Sequence, residues 1–201
     1  MLRHSRMLEL GSQAPDFTLP DGEGRLHRLA DMLGARGLVV AFLCNHCPFV
    51  QHIASAFGRV AAEHAARGIR TVAISSNDVV EHPDDSPAHM LRFARTHGFD
   101  FPYLYDESQK VALAYEAICT PDRYLFDSAG RLYYRGQFDG SRPYTEWDVK
   151  FGKPRNTVPN DGADLRRACD ALLAGLPPPA DQKPSAGCSI KWKAENEPDW
   201  A

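Results

Sequence analysis

Two cysteines three positions apart, Cys44 and Cys47, with Asn45 and His46 between them, form the segment best suited to chemistry in this chain. A thiol pair at this spacing exchanges with disulfides. One thiolate attacks a substrate sulfur, the second thiol releases the product, and the pair ends oxidised. An apolar run, Leu38-Val39-Val40-Ala41-Phe42-Leu43, precedes the pair, and a helical pattern follows it. The pair therefore falls where a strand gives way to a helix. Free N–H groups and the helix dipole favour an anion there. Cys44 is expected to be the acidic thiolate, within the roughly 3.5–7.5 range of such sites, and Cys47 the more sheltered resolving thiol. His46 is placed to tune that acidity, since imidazole titrates near neutral pH. Pro48 fits the first helical turn, where its missing N–H costs little.

Other chemistry remains open to the same residues. Cys44, His46 and Cys47 are ligands for zinc or copper, and Cys119, Cys188 or another histidine would complete a tetrahedron. No second Cys-x-x-Cys and no His-x-x-x-His pair supports that alternative. Cys119-Thr120-Pro121 is the second informative segment. Pro121 is either an ordinary edge-strand proline or a cis-proline whose neighbour Thr120 faces the thiol pair. Cys169 sits on an apolar helical stripe and reads as core. Cys188 follows Pro177-Pro178-Pro179 in a polar stretch. It is either an inert thiol in a loose tail or a third redox thiol that folds back, anchored by Ile190 and Trp192. A Cys119–Cys188 relay is one arrangement of these auxiliary thiols.

The elements that must position these groups follow from periodicity. The Leu38–Leu43 run suits a strand covered on both faces. Val50, Ile53, Ala54, Phe57, Val60, Ala61 and His64 lie on one helical stripe that Gly68 ends, and Ile69–Ser75 is a second buried strand. Strand–helix–strand implies parallel strands with a right-handed crossover. Before this unit, Ala14–Pro20 and Arg25–Leu29 flank the turn Asp21-Gly22-Glu23-Gly24 as a hairpin. After it come a loop to Asp85, a helix from Ser86-Pro87 to His97 stopped by Gly98, and a short strand within Phe99–Tyr105. Asp106-Glu107-Ser108-Gln109 resembles a capping box before a short helix. Tyr124–Phe126 and Leu132–Arg135 form a second hairpin, residues 139–160 a long loop, and Leu165–Leu173 a final amphipathic helix. Arg142 and Arg155 in that loop are solvated charges or part of a binding surface. Residues 180–201 show no regular pattern. The fold class is α/β, with a central mixed sheet flanked by helices, in one domain at 1–176 and a C-terminal tail at 177–201.

Gly11-Ser12-Gln13-Ala14-Pro15-Asp16-Phe17-Thr18-Leu19 resembles the opening of the alkyl hydroperoxide reductase/thiol-specific antioxidant (redoxin) family, within the thioredoxin-like superfamily. Cys44-Asn45-His46-Cys47-Pro48-Phe49-Val50 and Cys119-Thr120-Pro121-Asp122 look like a peroxiredoxin-like subgroup, with Gly187-Cys188-Ser189-Ile190-Lys191-Trp192 as a further motif. The resemblance implies a thioredoxin-like fold with an N-terminal hairpin extension, Cys44 and Cys47 as the redox pair, and Pro121 as a cis-proline facing them beside Thr120. Peroxiredoxins carry Pro-x-x-x-Thr-x-x-Cys around the peroxide-reacting cysteine. With Cys47 in that place, Cys44 replaces the threonine and Val40 the proline; with Cys44, Ala41 and Gly37 do. The expected activity is therefore thiol–disulfide exchange with at most weak peroxide reduction, and peroxidase and metallochaperone readings are the alternatives.

Composition narrows the setting. At 201 residues, 43% hydrophobic and 24% charged, the chain is an ordinary globular length and mixture. A net charge of −3 gives no electrostatic case for nucleic acid or an anionic membrane. No apolar run approaches the roughly 20 residues of a bilayer span, and no apolar stretch follows Arg3, His4 and Arg6 to make a secretory signal. An odd count of five cysteines does not suit a disulfide-stapled scaffold, and a cytoplasmic setting is expected. The expected partners are a protein or small-molecule disulfide and an external dithiol reductant. No cofactor and no resident metal is assigned, and the oligomeric state is left open.

Overall fold

The computed structural model describes residues 1–200. In chain order the strands are β1 (Leu2–His4), β2 (Thr18–Pro20), β3 (Leu26–Arg28), β4 (Gly37–Phe42), β5 (Ile69–Ser75), β6 (Tyr103–Tyr105), β7 (Cys119–Thr120), β8 (Asp122–Asp127), β9 (Leu132–Arg135) and β10 (Ala186–Ser189). The helices are α1 (Leu29–Met32), α2 (Pro48–Ala65), α3 (Pro87–His97), α4 (Lys110–Ala114), α5 (Glu146–Lys150) and α6 (Ala163–Leu173), with a 3₁₀ turn at Pro83–Asp85.

The main sheet has the order β6-β5-β4-β8-β9. β4 lies parallel to β5 and antiparallel to β8, so every residue of β4 is buried between neighbours and layers. Alternation splits the strand between two cores. Val39, Ala41 and Leu43 face α2 and α6, where they meet Phe57, Val60 and Leu165. Leu38, Val40 and Phe42 face the other side, against Phe17, Leu29, Tyr115 and Tyr124. A strand apolar on both faces and covered on both is the arrangement its unbroken hydrophobic run predicts.

α2 begins where β4 ends. Cys47 is its extended N-cap and Pro48 its first helical residue. α3 ends at Gly98, whose φ of 67° is the left-handed conformation glycine adopts freely. The expected capping box at Asp106–Gln109 does not form. Gln109 is left-handed, and the Asp106 carboxylate accepts from Ser76 Oγ and the Ala112 N–H instead. A reciprocal box forms at Thr145 and Asp148, starting α5 inside the long loop.

A second sheet, β1-β10-β7, places a strand within 180–201, where the sequence shows no regular pattern. β10 runs antiparallel between β1 and β7, with Cys188 opposite both Leu2 and Thr120. Ser185 fixes its approach. The Ser5 N–H donates to the Ser185 carbonyl at 3.0 Å, and the Ser185 hydroxyl donates to the Gly136 carbonyl at 2.8 Å. Beyond the strand, Ile190 is 3% exposed and joins the core that Trp192 packs against. The Lys191 N–H donates to Asn77 Oδ1, and its carbonyl accepts from the Asp78 N–H. The anchoring expected of Ile190 and Trp192 is present, and residues 186–192 are part of the domain. No helix among the described residues is long and apolar enough to cross a membrane.

A candidate thiol-exchange site

Three elements meet at the C-terminal end of β4. The β4–α2 junction carries Cys44 to Cys47, the β7–β8 junction carries Thr120 and Pro121, and β10 carries Cys188. The Thr120–Pro121 peptide is cis. Cys44 Sγ lies 3.1 Å from Thr120 Oγ1, and Cys47 Sγ lies 3.2 Å from the Thr120 carbonyl oxygen. Both thiols are sealed from solvent, at 1% and 0% exposure. All five cysteines are free.

Cross-strand pairing explains which auxiliary thiol joins the pair. Residues directly opposite in neighbouring strands share a face, and successive residues alternate. Cys188 is opposite Thr120, so it shares the face on which Thr120 meets Cys44. Cys119 is opposite Ser189 and points the other way, with Sγ 4.0 Å from the Pro121 carbonyl oxygen. The structure thus brings Cys188 to Cys47 and turns Cys119 away, in place of a Cys119–Cys188 pairing. Cys169 is core, as expected.

The acidity also lies elsewhere than expected. Cys47 is held well below the ordinary thiol range by the Cys188 thiol, which donates to its sulfur, and next by the Cys44 thiol. Burial opposes ionisation, but the Val50 and Cys188 backbone N–H groups add to the donors. The Thr120 carbonyl accepts only from protonated Cys47; against this many donors at a helix N-terminus, the thiolate is the favoured form. Burial, and then the neighbouring Cys47, push Cys44 upward. Cys188 is pushed up because its proton is held by Cys47. The direction favours charge on Cys47 over Cys44: Cys47 caps the N-terminus of α2, whereas Cys44 is sealed against the Thr120 hydroxyl.

Asp85 is the residue sequence reasoning missed. It is fully buried on the 3₁₀ turn. Its carboxylate accepts from the Asn45 N–H at 2.7 Å, His46 Nδ1 at 2.7 Å and Asn77 Nδ2 at 2.7 Å. Burial raises its pKa, yet the His46 and Asn77 hydrogen bonds and the His46 charge outweigh that and lower it. In return, the Asp85 hydrogen bond raises His46. His46 also stacks on His82, with ring centroids 5.3 Å apart. His46 is therefore a fixed, readily protonated group beside the thiols, and Cys47 is among the groups that favour its charge. A polar residue in a Pro-Asp-Asp turn gives no local sign of complete burial.

The metal-ligand set differs from the one expected. Cys44, His46 and Asp85 offer ligand atoms within 4.8 Å of one another. Cys47 and Cys119 are not part of that group. The Arg142 guanidinium donates to the Asp139, Ser141 and Gln137 oxygens, so it braces its loop, and Arg155 lies over the Tyr144 ring. A cavity of about 570 Å³ lies between the β3–α1 segment and the far end of α2, and no cysteine lines it.

With this geometry in view, the sequence matches the AhpC/TSA family over residues 10–135. The chain belongs to the AhpC/TSA family. Within this family setting, it is 28% identical to the thiol-disulfide oxidoreductase ResA of Geobacillus thermodenitrificans over 61% of this chain and 66% of that protein, just under two thirds of the relative. It is 31% identical to a protein of Mycobacterium tuberculosis named as a peroxiredoxin, over 53% of this chain and 63% of that one. A crystal structure of an uncharacterized conserved protein from Geobacillus kaustophilus is similar over nearly the whole length. It is 46% identical, covers 96% of this chain and 97% of its own, and has a TM-score of 0.88. A thioredoxin-family thiol:disulfide interchange protein from Chlorobium tepidum shares the fold at 17% identity, covering 83% of this chain and 99% of that one, with a TM-score of 0.58. The AhpC/TSA chain thus has the thioredoxin-like fold its motifs imply.

Proposed function

We propose that this AhpC/TSA-family protein is a thiol–disulfide oxidoreductase that uses Cys44 and Cys47. The observation that carries the reading is the placement of both sulfurs against Thr120, with Cys47 at the N-terminus of α2. The Cys47 thiolate attacks the nearer sulfur of a disulfide presented to it, and the bond between the two substrate sulfurs breaks. Cys44 loses its proton to the departing thiolate and attacks Cys47 Sγ, leaving a Cys44–Cys47 disulfide and a second substrate thiolate, which takes its proton from water. An external dithiol returns two electrons and two protons. Thr120 Oγ1 holds the Cys44 sulfur in line, and the Asp85–His46 pair keeps a positive charge near the thiolate.

A slower reaction with peroxide fits the same thiolate. Hydrogen peroxide is small enough for a sealed site, and attack by Cys47 gives a sulfenic acid and hydroxide. Cys44 then condenses with it, releasing water. Equilibration in glutathione redox buffers followed by peptide mapping tests the main reading. The expected product is a reversible Cys44–Cys47 disulfide, formed faster with glutathione disulfide than with equimolar peroxide. A protein that forms no Cys44–Cys47 bond overturns the reading. Faster turnover with peroxide makes peroxide reduction the principal activity.

A further inference from the structure

The thiol pair is sealed, so a disulfide larger than peroxide needs a route to it. Cys44 and Cys47 are 1% and 0% exposed, whereas Cys188 is only partly buried. Cys188 stands opposite Thr120, the residue both thiols of the pair contact, and its strand lies along Thr120. That strand approaches unusually closely. A Cβ on Gly187 would stand 2.0 Å from the Thr120 carbonyl oxygen and 2.6 Å from its carbon. Only glycine permits this spacing, which sets Cys188 over the pair. An extended segment seated antiparallel on the backbone before the cis-proline, with a sulfur against the reactive cysteine, is what a bound disulfide substrate would look like. Here the chain supplies that segment itself.

We propose that Cys188 is the exchange thiol of this protein: external disulfides react at Cys188, and electrons reach them from Cys44 and Cys47 through a Cys47–Cys188 disulfide. This rests on the thiol–disulfide reading above and replaces its direct attack by Cys47 with a relayed one, in which the disulfide that Cys47 attacks is the Cys188 mixed disulfide. The Cys188 proton passes to Cys47 as Cys188 Sγ attacks an external disulfide. A Cys188 mixed disulfide forms, and the first external thiolate leaves, taking the proton from Cys47. The Cys47 thiolate then attacks Cys188 Sγ, forming the Cys47–Cys188 bond and expelling the second external thiolate. Cys44 attacks Cys47 Sγ, its proton goes to that second thiolate, and Cys188 is released carrying the charge that Cys47 began with. One disulfide is reduced to two thiols, and one Cys44–Cys47 bond is made. The sequence requires only thiolate access and small sulfur displacements. Cys119, on the opposite face, takes no part.

The test uses the full chain with glutathione disulfide as the probe, followed by intact-mass measurement and disulfide mapping. Cys44→Ser is expected to accumulate the Cys47–Cys188 bond, and Cys47→Ser to carry glutathione on Cys188. Cys188→Ser is expected to form the Cys44–Cys47 bond at least roughly tenfold more slowly with glutathione disulfide. Glutathione found on Cys44 in Cys47→Ser overturns the route. So does Cys188→Ser that oxidises as fast as the parent protein. If Cys188→Ser proves unfolded by circular dichroism, the two trapping variants decide alone. Failure of the parent protein to form any Cys44–Cys47 bond would instead overturn the underlying exchange activity, so the two failures are distinguishable.

Discussion

The two sheets differ in how they are held, and the site lies between them. The five-stranded sheet pairs β4 with β5 and with β8 over six residues each, and cores cover both its faces. The three-stranded sheet joins β10 to β7 through two residue pairs and to β1 through three. Its strands come from chain segments more than a hundred residues apart at one junction and about seventy at the other. Apolar burial fixes the first sheet; close backbone approach and a few anchors fix the second. The difference teaches that the thiol pair rests on a rigid floor under a separable cover, and local opening is drawn from the less buried part of a fold.

Three changes bear on that contrast. The largest effect is expected at the floor. Phe42→Ala removes a fully buried ring that meets Tyr115 and Tyr124, and should cost about 3–5 kcal/mol in denaturant unfolding. All regions should lose stability together; loss confined to β10 would break the distinction. A smaller, local effect is expected at the cover. Gly187→Ala forces β10 away from Thr120, costing about 1–3 kcal/mol. Hydrogen exchange should accelerate at β10 and β1 and stay slow in β4, and a bulky maleimide should reach Cys47. Uniform acceleration would show that the sheets unfold as one unit.

The smallest effect concerns charge. Asp85 is lowered and His46 raised, so the pair is fully charged between them. The His46 contribution is complete below the ordinary imidazole pKa of about 6.5 and fades as pH rises through its raised folded value. The Asp85 contribution is present above about 3.9 and fades as pH falls through its lowered folded value. His46→Asn should flatten the alkaline side of the stability profile and move the alkylation profile of Cys47 to higher pH, by about one unit. An unchanged alkylation profile would remove His46 from any role in thiol acidity.

Much of the floor was legible because its signals are local. Leu38–Leu43 marks a strand buried on both faces, and Cys47-Pro48 marks the start of α2. Thr120-Pro121 gave two readings, and the family resemblance pointed to the one the backbone adopts. The cover was not legible. Gly187, Cys188 and Ser189 have little strand propensity, and their partners are far away in the chain, so nothing near them announces a strand. The acidity of Cys47 was missed for the same reason, because its first donor is Cys188. Asp106 and Gln109 looked like a cap, but Gln109 instead reaches the Ser76 and Lys191 carbonyls, a tertiary demand no local pattern encodes.

The placement of Trp192 has an optical consequence. The chain has three tryptophans: Trp147 is 68% exposed, while Trp192 packs against the core four residues after Cys188 and sets its ring edge-on to Trp200. An indole leaving an apolar wall for water shifts its emission to longer wavelength. With Trp147→Phe and Trp200→Phe silencing the other two emitters, Trp192 becomes a built-in fluorescent gauge of whether the β10 segment is seated, readable in real time during turnover without any attached dye.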